Sequence, residues 1–210
     1  MRTLKPLLVA GATAILLASC GGAATDTTAT TDTPFETTTA MTDTTDAVAA
    51  FRRQMASIDD TVAAWRGAAT VEEAHVAAET AANLVVGPNG PGYGDRNGDG
   101  TVSGETTAGI LPGIDGTPAG LAAPLSDNAC VAGDVLGGSW TDPGAAWDAM
   151  AAAIADWRTD NNTMPTLASH PMRIVGWATF TLASDSLDAA HEYSGHAKLH
   201  VDVALRALDC

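Results

Sequence analysis

Apolar side chains recur at alternating steps of three and four from Val48 through Phe51, Met55, Ile58 and Val62 to Trp65, with Arg52, Arg53, Asp59, Asp60 and Arg66 between them. This spacing draws one stripe along a 3.6-residue period and predicts an amphipathic helix beginning near Asp46 and ended by Gly67. Thr70-Val71-Glu72-Glu73 then has the form of a capping box, in which the Thr70 hydroxyl serves the Glu73 amide and the Glu73 carboxylate reaches back to the Thr70 amide. It predicts a second helix running to Val86, where Gly87 and Pro88 stop it.

The periodicity disappears over residues 87–140, which hold fourteen of the 21 glycines and five prolines. Asp142-Pro143 restores it as an N-cap followed by proline in the first helical position, and Trp147, Met150, Ile154 and Trp157 supply the next stripe, up to Asn161 and Asn162. Met172 to Leu182 has the β-branched and aromatic content of a strand. Ser169-His170-Pro171 before it is nevertheless a plausible helix start, and helix is the expectation. Ser184 or Ser186 caps a final helix reaching about Leu208, with Ala190, Ser194, Ala197, Val201, Ala204 and Leu208 on its buried line. The fold class expected is all-α, an antiparallel bundle of four or five helices interrupted by a long Gly/Pro-rich loop. The five tryptophans, Trp65, Trp140, Trp147, Trp157 and Trp177, are expected as core anchors rather than a carbohydrate platform.

The first 46 residues have a different character. Arg2 and Lys5 precede an apolar run from Leu7 to Leu17, and Leu17-Ala18-Ser19-Cys20-Gly21-Gly22 closes it. The run is too short to span a bilayer and has the organisation of a removable secretory segment. The small pair before the cysteine resembles the lipobox of bacterial lipoproteins. That resemblance implies a signal peptide over 1–19, lipidation of Cys20, and a lipid-anchored protein of the cell or outer membrane with its domain on the periplasmic or extracellular side. From Gly21 to Asp46 twelve of 26 residues are Thr, with five acidic residues and no Lys or Arg, so residues 20–46 read as the lipidated cysteine and a disordered tether. The helical domain is expected over 47–210 with the loop as an insertion.

Charge and cysteines narrow the classes of function. The net charge is −15, and becomes −17 once residues 1–19 are removed, which argues against nucleic acid or anionic headgroups as direct partners and favours cations. If Cys20 carries lipid, Cys130 and Cys210 remain, either as a disulfide, which an oxidising compartment favours, or as two free thiols. No Gly-x-Ser-x-Gly elbow, P-loop or dinucleotide fingerprint occurs.

Two residue sets carry candidate chemistry. Asp95-Arg96-Asn97-Gly98-Asp99-Gly100-Thr101-Val102-Ser103 alternates oxygen-bearing side chains on a chain curved by glycine, and calcium takes six to eight such oxygens. The segment resembles an EF-hand or dockerin-type loop. That resemblance implies ligands from Asp95, Asn97 and Asp99, the sharp turn at Gly100, the Thr101 carbonyl, and Ser103 directly or through water. Where the family has its closing carboxylate this chain has Thr106, with Glu105 one residue early. The second set is Glu72, His75 and Glu79 on one helix with His191, Glu192, His196 and His200 on the last. Facing helices of this kind can surround a transition metal, and Glu72-x-x-His75 with Asp188-x-x-His191 resembles the paired motifs of ferritin-like di-metal proteins. The leading expectation is a non-catalytic envelope lipoprotein presenting a calcium-stabilised bundle for binding or assembly with a protein or envelope partner. The alternative is a transition-metal-handling or di-metal redox protein using Glu72, His75, Glu79, His191, His196 and His200.

Overall fold

A computed structural model describes residues 44–157 and 167–210, and every regular element among them is helical. The signal segment, Cys20 and most of the Thr-rich segment lie outside the described residues, as do Asn161 and Asn162. The long helices are α1 (Thr44–Arg66), α2 (Val71–Val86), α3 (Pro143–Asp156), α4 (His170–Leu182) and α5 (Leu187–Arg206). A 3-10 turn at Ala123–Leu125 and a π-turn at Val131–Val135 interrupt the long connection.

Four of these helices close a ring in which α1 neighbours α2, α2 neighbours α4, α4 neighbours α5, and α5 returns to α1. Hydrogen bonds between them fix the directions. Gln54 of α1 donates to the Leu84 carbonyl near the end of α2, His75 near the start of α2 meets the Ser184 carbonyl just past α4, and His191 near the start of α5 meets the Ala68 carbonyl just past α1. Early residues of one helix thus meet late residues of the next, as antiparallel packing with short turns requires. The expected buried stripe of α1 is fully buried at Phe51, Met55, Ile58, Val62 and Trp65, but Ala47 is its first member and Val48 is only partly covered. Against it α2 and α5 present mainly alanines, including Ala74, Ala78, Ala81, Ala190, Ala197 and Ala204, so large side chains from α1 and α4 fill space that small ones leave.

The local signals mostly hold, with shifts of one residue. Thr70 accepts from the Glu73 amide at 3.1 Å, but the Glu73 carboxylate takes the Ala69 amide at 2.7 Å rather than that of Thr70. Asp142 caps α3, Ser169 caps α4 and Ser186, not Ser184, caps α5. The segment from Met172 is helix, because Ile174, Val175, Trp177 and Ala178 are buried together on a helical repeat rather than on alternate positions. Ala207 is buried where Leu208 was expected, and α3 ends at Asp156, short of Asn161.

Helix α3 packs on the long connection instead of joining the ring. Trp147 donates its indole N–H to the Pro112 carbonyl at 3.0 Å and meets Trp140 edge-on. Trp157 at its end packs edge-on against Trp177 and Phe180 of α4. Four of the five tryptophans are buried and Trp140 is partly so, as core anchors should be. Cys130 and Cys210 are joined as a disulfide, with Cα atoms 6.2 Å apart, closing 80 residues of chain.

Candidate functional site

The glycine-rich connection is held by one face of α2. Glu79 and Asn83 lie one turn apart on that helix, and both are completely buried. The Glu79 carboxylate accepts the amides of Arg96 and Asn97 on Oε2, at 2.8 and 2.9 Å, and that of Ser103 on Oε1, at 2.7 Å. Asn83 donates to the carbonyls of Gly94 and Ser103, at 2.8 and 2.7 Å, and accepts from the Gly94 amide and from Arg96 Nε. Two side chains therefore satisfy backbone groups of Gly94, Arg96, Asn97 and Ser103, and a buried carboxylate with three amide donors is well compensated. Arg96 lies over this anchor and donates from Nη2 to the Pro91 carbonyl. Burial pulls its guanidinium down to about 10, and the charge of Glu79 opposes that shift.

Close backbone approach explains part of the glycine content. A Cβ at Gly104 would sit 2.6 Å from the Thr80 carbonyl oxygen, and one at Gly109 would sit 2.5 Å from that of Val85. Ile110 and Leu111 are fully buried beside them, and Leu111 donates its amide to Val85. Anchoring by α2, burial of these two side chains and tight contact thus order the connection from within the protein.

Outside this anchor, residues 95–101 curl around Asp95. Its Oδ1 accepts the amides of Gly98 and Asp99, at 2.7 and 3.1 Å, and its Oδ2 accepts that of Gly100 at 2.8 Å. Asn97 Oδ1 accepts the Asp99 amide, Asp99 Oδ1 accepts the Thr101 amide, and Asn97 Nδ2 donates to Asp99 Oδ2 at 3.1 Å. Gly98 and Gly100 have φ of 76° and 88°, the left-handed region that the turn demands and that glycine enters without strain. Asp95, Asn97 and Asp99 are therefore gathered into one exposed turn. Ser103 has its backbone amide and carbonyl on α2, Glu105 is exposed, and the Thr106 hydroxyl is turned toward Ala108 and Gln54.

The helix-borne set of Glu72, His75, Glu79, His191, His196 and His200 is not gathered. Glu79 serves loop amides, and His75 and His191 meet backbone carbonyls on the far side of turns, at 3.0 and 2.9 Å. Glu72 is exposed, and bonds to backbone at the start of α2 and to Thr70 lower its carboxyl from the ordinary value. His196 stacks on Trp177 with ring centres 4.3 Å apart, beside Glu192 at 3.9 Å. Asp188 is exposed. Among the described residues no three His, Cys, Asp or Glu side chains are placed to share an ion. Facing helices do not suffice here, because these side chains are engaged with separate partners or turned to solvent.

His200 instead meets a residue outside that set. Its Nδ1 lies 2.9 Å from Nδ1 of His170 in the first turn of α4. Burial, with His170, Arg173 and His196 nearby, pushes the His200 imidazole down to about 3. His170 is also lowered, by burial and by Arg173, with Asp134 opposing. His170 escaped the sequence reading because Ser169-His170-Pro171 serves as a helix start, and Asn83 because an amide inside an Ala/Val run has no motif. The available signal was Glu79 and Asn83 four apart, two polar residues on an otherwise apolar face just before a glycine-rich segment.

Among the described residues no helix is long and apolar enough to cross a membrane. In comparisons with protein-family models, curated proteins and solved structures, the chain matches none.

Proposed function

We propose that the chain is a non-catalytic cell-envelope lipoprotein, lipidated at Cys20 and tethered by the Thr-rich segment, that presents a calcium-stabilised helical domain for binding or assembly. One observation carries the calcium part of this reading: the turn centred on Asp95 brings Asp95, Asn97 and Asp99 together around two left-handed glycines. Oxygen donors on alternate residues of a tight turn are what a hard cation of flexible coordination needs. Thr101 would add its carbonyl and Ser103 its hydroxyl or a bound water. Glu105 is the remaining carboxylate for the shell, since the Thr106 hydroxyl is engaged with Ala108 and Glu79 is completely buried beneath the loop. The site opens to solvent and lies in a strongly acidic chain, which suits the weak affinity of extracellular calcium modules, ~0.1 to 1 mM. The anchor part rests on Leu17-Ala18-Ser19-Cys20.

The test is a melting series in calcium. At tenfold excess over Kd the ion stabilises by about 1.4 kcal/mol, so the melting temperature rises with calcium and much less with magnesium, which demands stricter octahedral geometry. Asp95→Ala with Asp99→Ala abolishes the rise while the helical circular dichroism persists. Equal behaviour of both proteins in millimolar calcium means that the turn holds no ion. In a bacterial host, Cys20→Ser abolishes acyl labelling and frees the protein from membranes, and a variant that stays membrane-bound refutes the anchor.

A further inference from the structure

Helices α4 and α5 and the π-turn Val131–Val135 meet around the two imidazoles of His170 and His200. The rings are tilted by 56°, and their two Nδ1 atoms lie 2.9 Å apart. Two nitrogens bound to one ion at about 2.0 to 2.1 Å are separated by roughly 2.8 to 3.0 Å when they subtend a right angle, and by roughly 3.3 to 3.4 Å when they subtend a tetrahedral one. The observed separation is that of neighbouring ligands in a square-planar or octahedral shell. We propose that His170 and His200 form a two-imidazole chelate for a late divalent transition metal of tetragonal preference, copper(II) before nickel(II).

The surroundings fit a nitrogen chelate rather than an electrostatic trap. Asp134 on the π-turn favours positive charge at His170, whereas Arg173 on α4 disfavours it at both rings, so the local field opposes a cation and affinity has to come from the nitrogen donors. His196, one turn before His200 on α5, is held flat against Trp177 and fixes the ring next to the pair. Without metal one Nδ1 carries the hydrogen shared with the other. On binding, that imidazole moves its proton to Nε2 through solvent, so both Nδ1 lone pairs face the ion and no net proton is released. Water fills the remaining positions of the shell. The site is independent of the Asp95 turn, because imidazole is a donor for copper and nickel and calcium takes oxygen.

The test uses the full chain in detergent, without a histidine tag, stripped with chelator and then titrated with copper(II), nickel(II) or zinc(II) in saturating calcium. One equivalent of copper binds, more tightly than nickel or zinc. The electron paramagnetic resonance spectrum shows a tetragonal centre coupled to two nitrogens. His170→Ala and His200→Ala each weaken copper by about tenfold or more, a loss at least as large as that from removing a supporting residue around a metal. His75→Ala and His191→Ala leave it unchanged. A spectrum of the unaltered protein without coupling to two nitrogens overturns the proposal and leaves the pair as a hydrogen bond between neutral rings, a result that needs no variant to fold. Copper binding that survives the His170→Ala, His200→Ala double variant overturns it equally.

Discussion

Replacing Glu79 separates the protein's own hold on the long connection from any contribution of calcium. Glu79→Ala leaves the amides of Arg96, Asn97 and Ser103 without their acceptor and leaves the guanidinium of Arg96, now pulled down to about 10, without its counter-charge. Hydrogen bonds to a charged group are worth about 1.5 to 3 kcal/mol each, but three cannot be summed, because the loop lifts and admits water once the carboxylate is gone. Leaving a buried donor without its acceptor costs about 1 to 3 kcal/mol, more where the lost partner was charged, so a loss of about 3 kcal/mol is expected. Glu79→Gln keeps one oxygen acceptor but turns an amide donor toward an amide donor, so it recovers only part of the loss. Urea unfolding followed by circular dichroism in chelator gives the magnitude, and hydrogen exchange at Arg96, Asn97 and Ser103 locates it. Glu105→Ala is the contrast: exposed and outside the anchor, it costs no more than about 0.5 kcal/mol in chelator and reduces only the calcium increment. If Glu79→Ala loses less than about 1 kcal/mol while those three amides stay protected, the loop is not held from α2.

Acidification destabilises the fold through the imidazole pair. His200 is held near 3, below its ordinary value of 6.5, so the unfolded chain takes the proton first; its contribution is complete above about pH 6.5 and drains as pH falls toward 3. The loss between pH 7 and pH 5 is about 2 kcal/mol relative to His200→Gln, measured by parallel denaturant titrations, and matching slopes for the two proteins would contradict it. His170, Arg173 and His196 face His200, and Asp134 faces His170, so Asp134→Asn should lower the His170 titration further, as followed by proton NMR. The disulfide closes 80 residues, for which chain entropy sets a ceiling near ~4.5 kcal/mol and common practice ~2 to 4; reduction lowers stability within that range. Two alkylated thiols recovered from envelope-derived protein would exclude the bridge.

Periodicity made α1 legible to within two residues, because a stripe of large apolar side chains on a helix has only one way to be buried. The same reasoning recognised α4 through its Ser-x-Pro start against a composition that suits a strand. It assigned Glu79 to a metal-binding face with Glu72 and His75, since all three share a helical side. Burial along that side in fact runs from exposed Glu72 to fully buried Glu79. What decides it is the loop folded over the helix, and a contact between residue 79 and residue 103 leaves no trace in local spacing. The Asp95 turn was legible because its chemistry is local: the hydrogen bonds of the Asp95, Asn97 and Asp99 side chains join residues no more than five apart. The His170 partnership with His200 was not, because it depends on the register of α4 against α5.

The antiparallel ring also gives the domain a direction along which it can bear load. The short turns after α1 and α4 lie at one end, while at the other Arg52 meets Asp209 at 3.0 Å, near Cys210 and its bridge to Cys130. Any segment that precedes Thr44 joins α1 at that second end. A pull on such a segment, resisted by something that grips the Cys130 region, would pass across the end of the bundle through a covalent link and an ion pair, leaving the lengths of α2 and α4 unstrained. Tension would first peel the opening turns of α1, one contact at a time, before it reached Trp65 at the remote end.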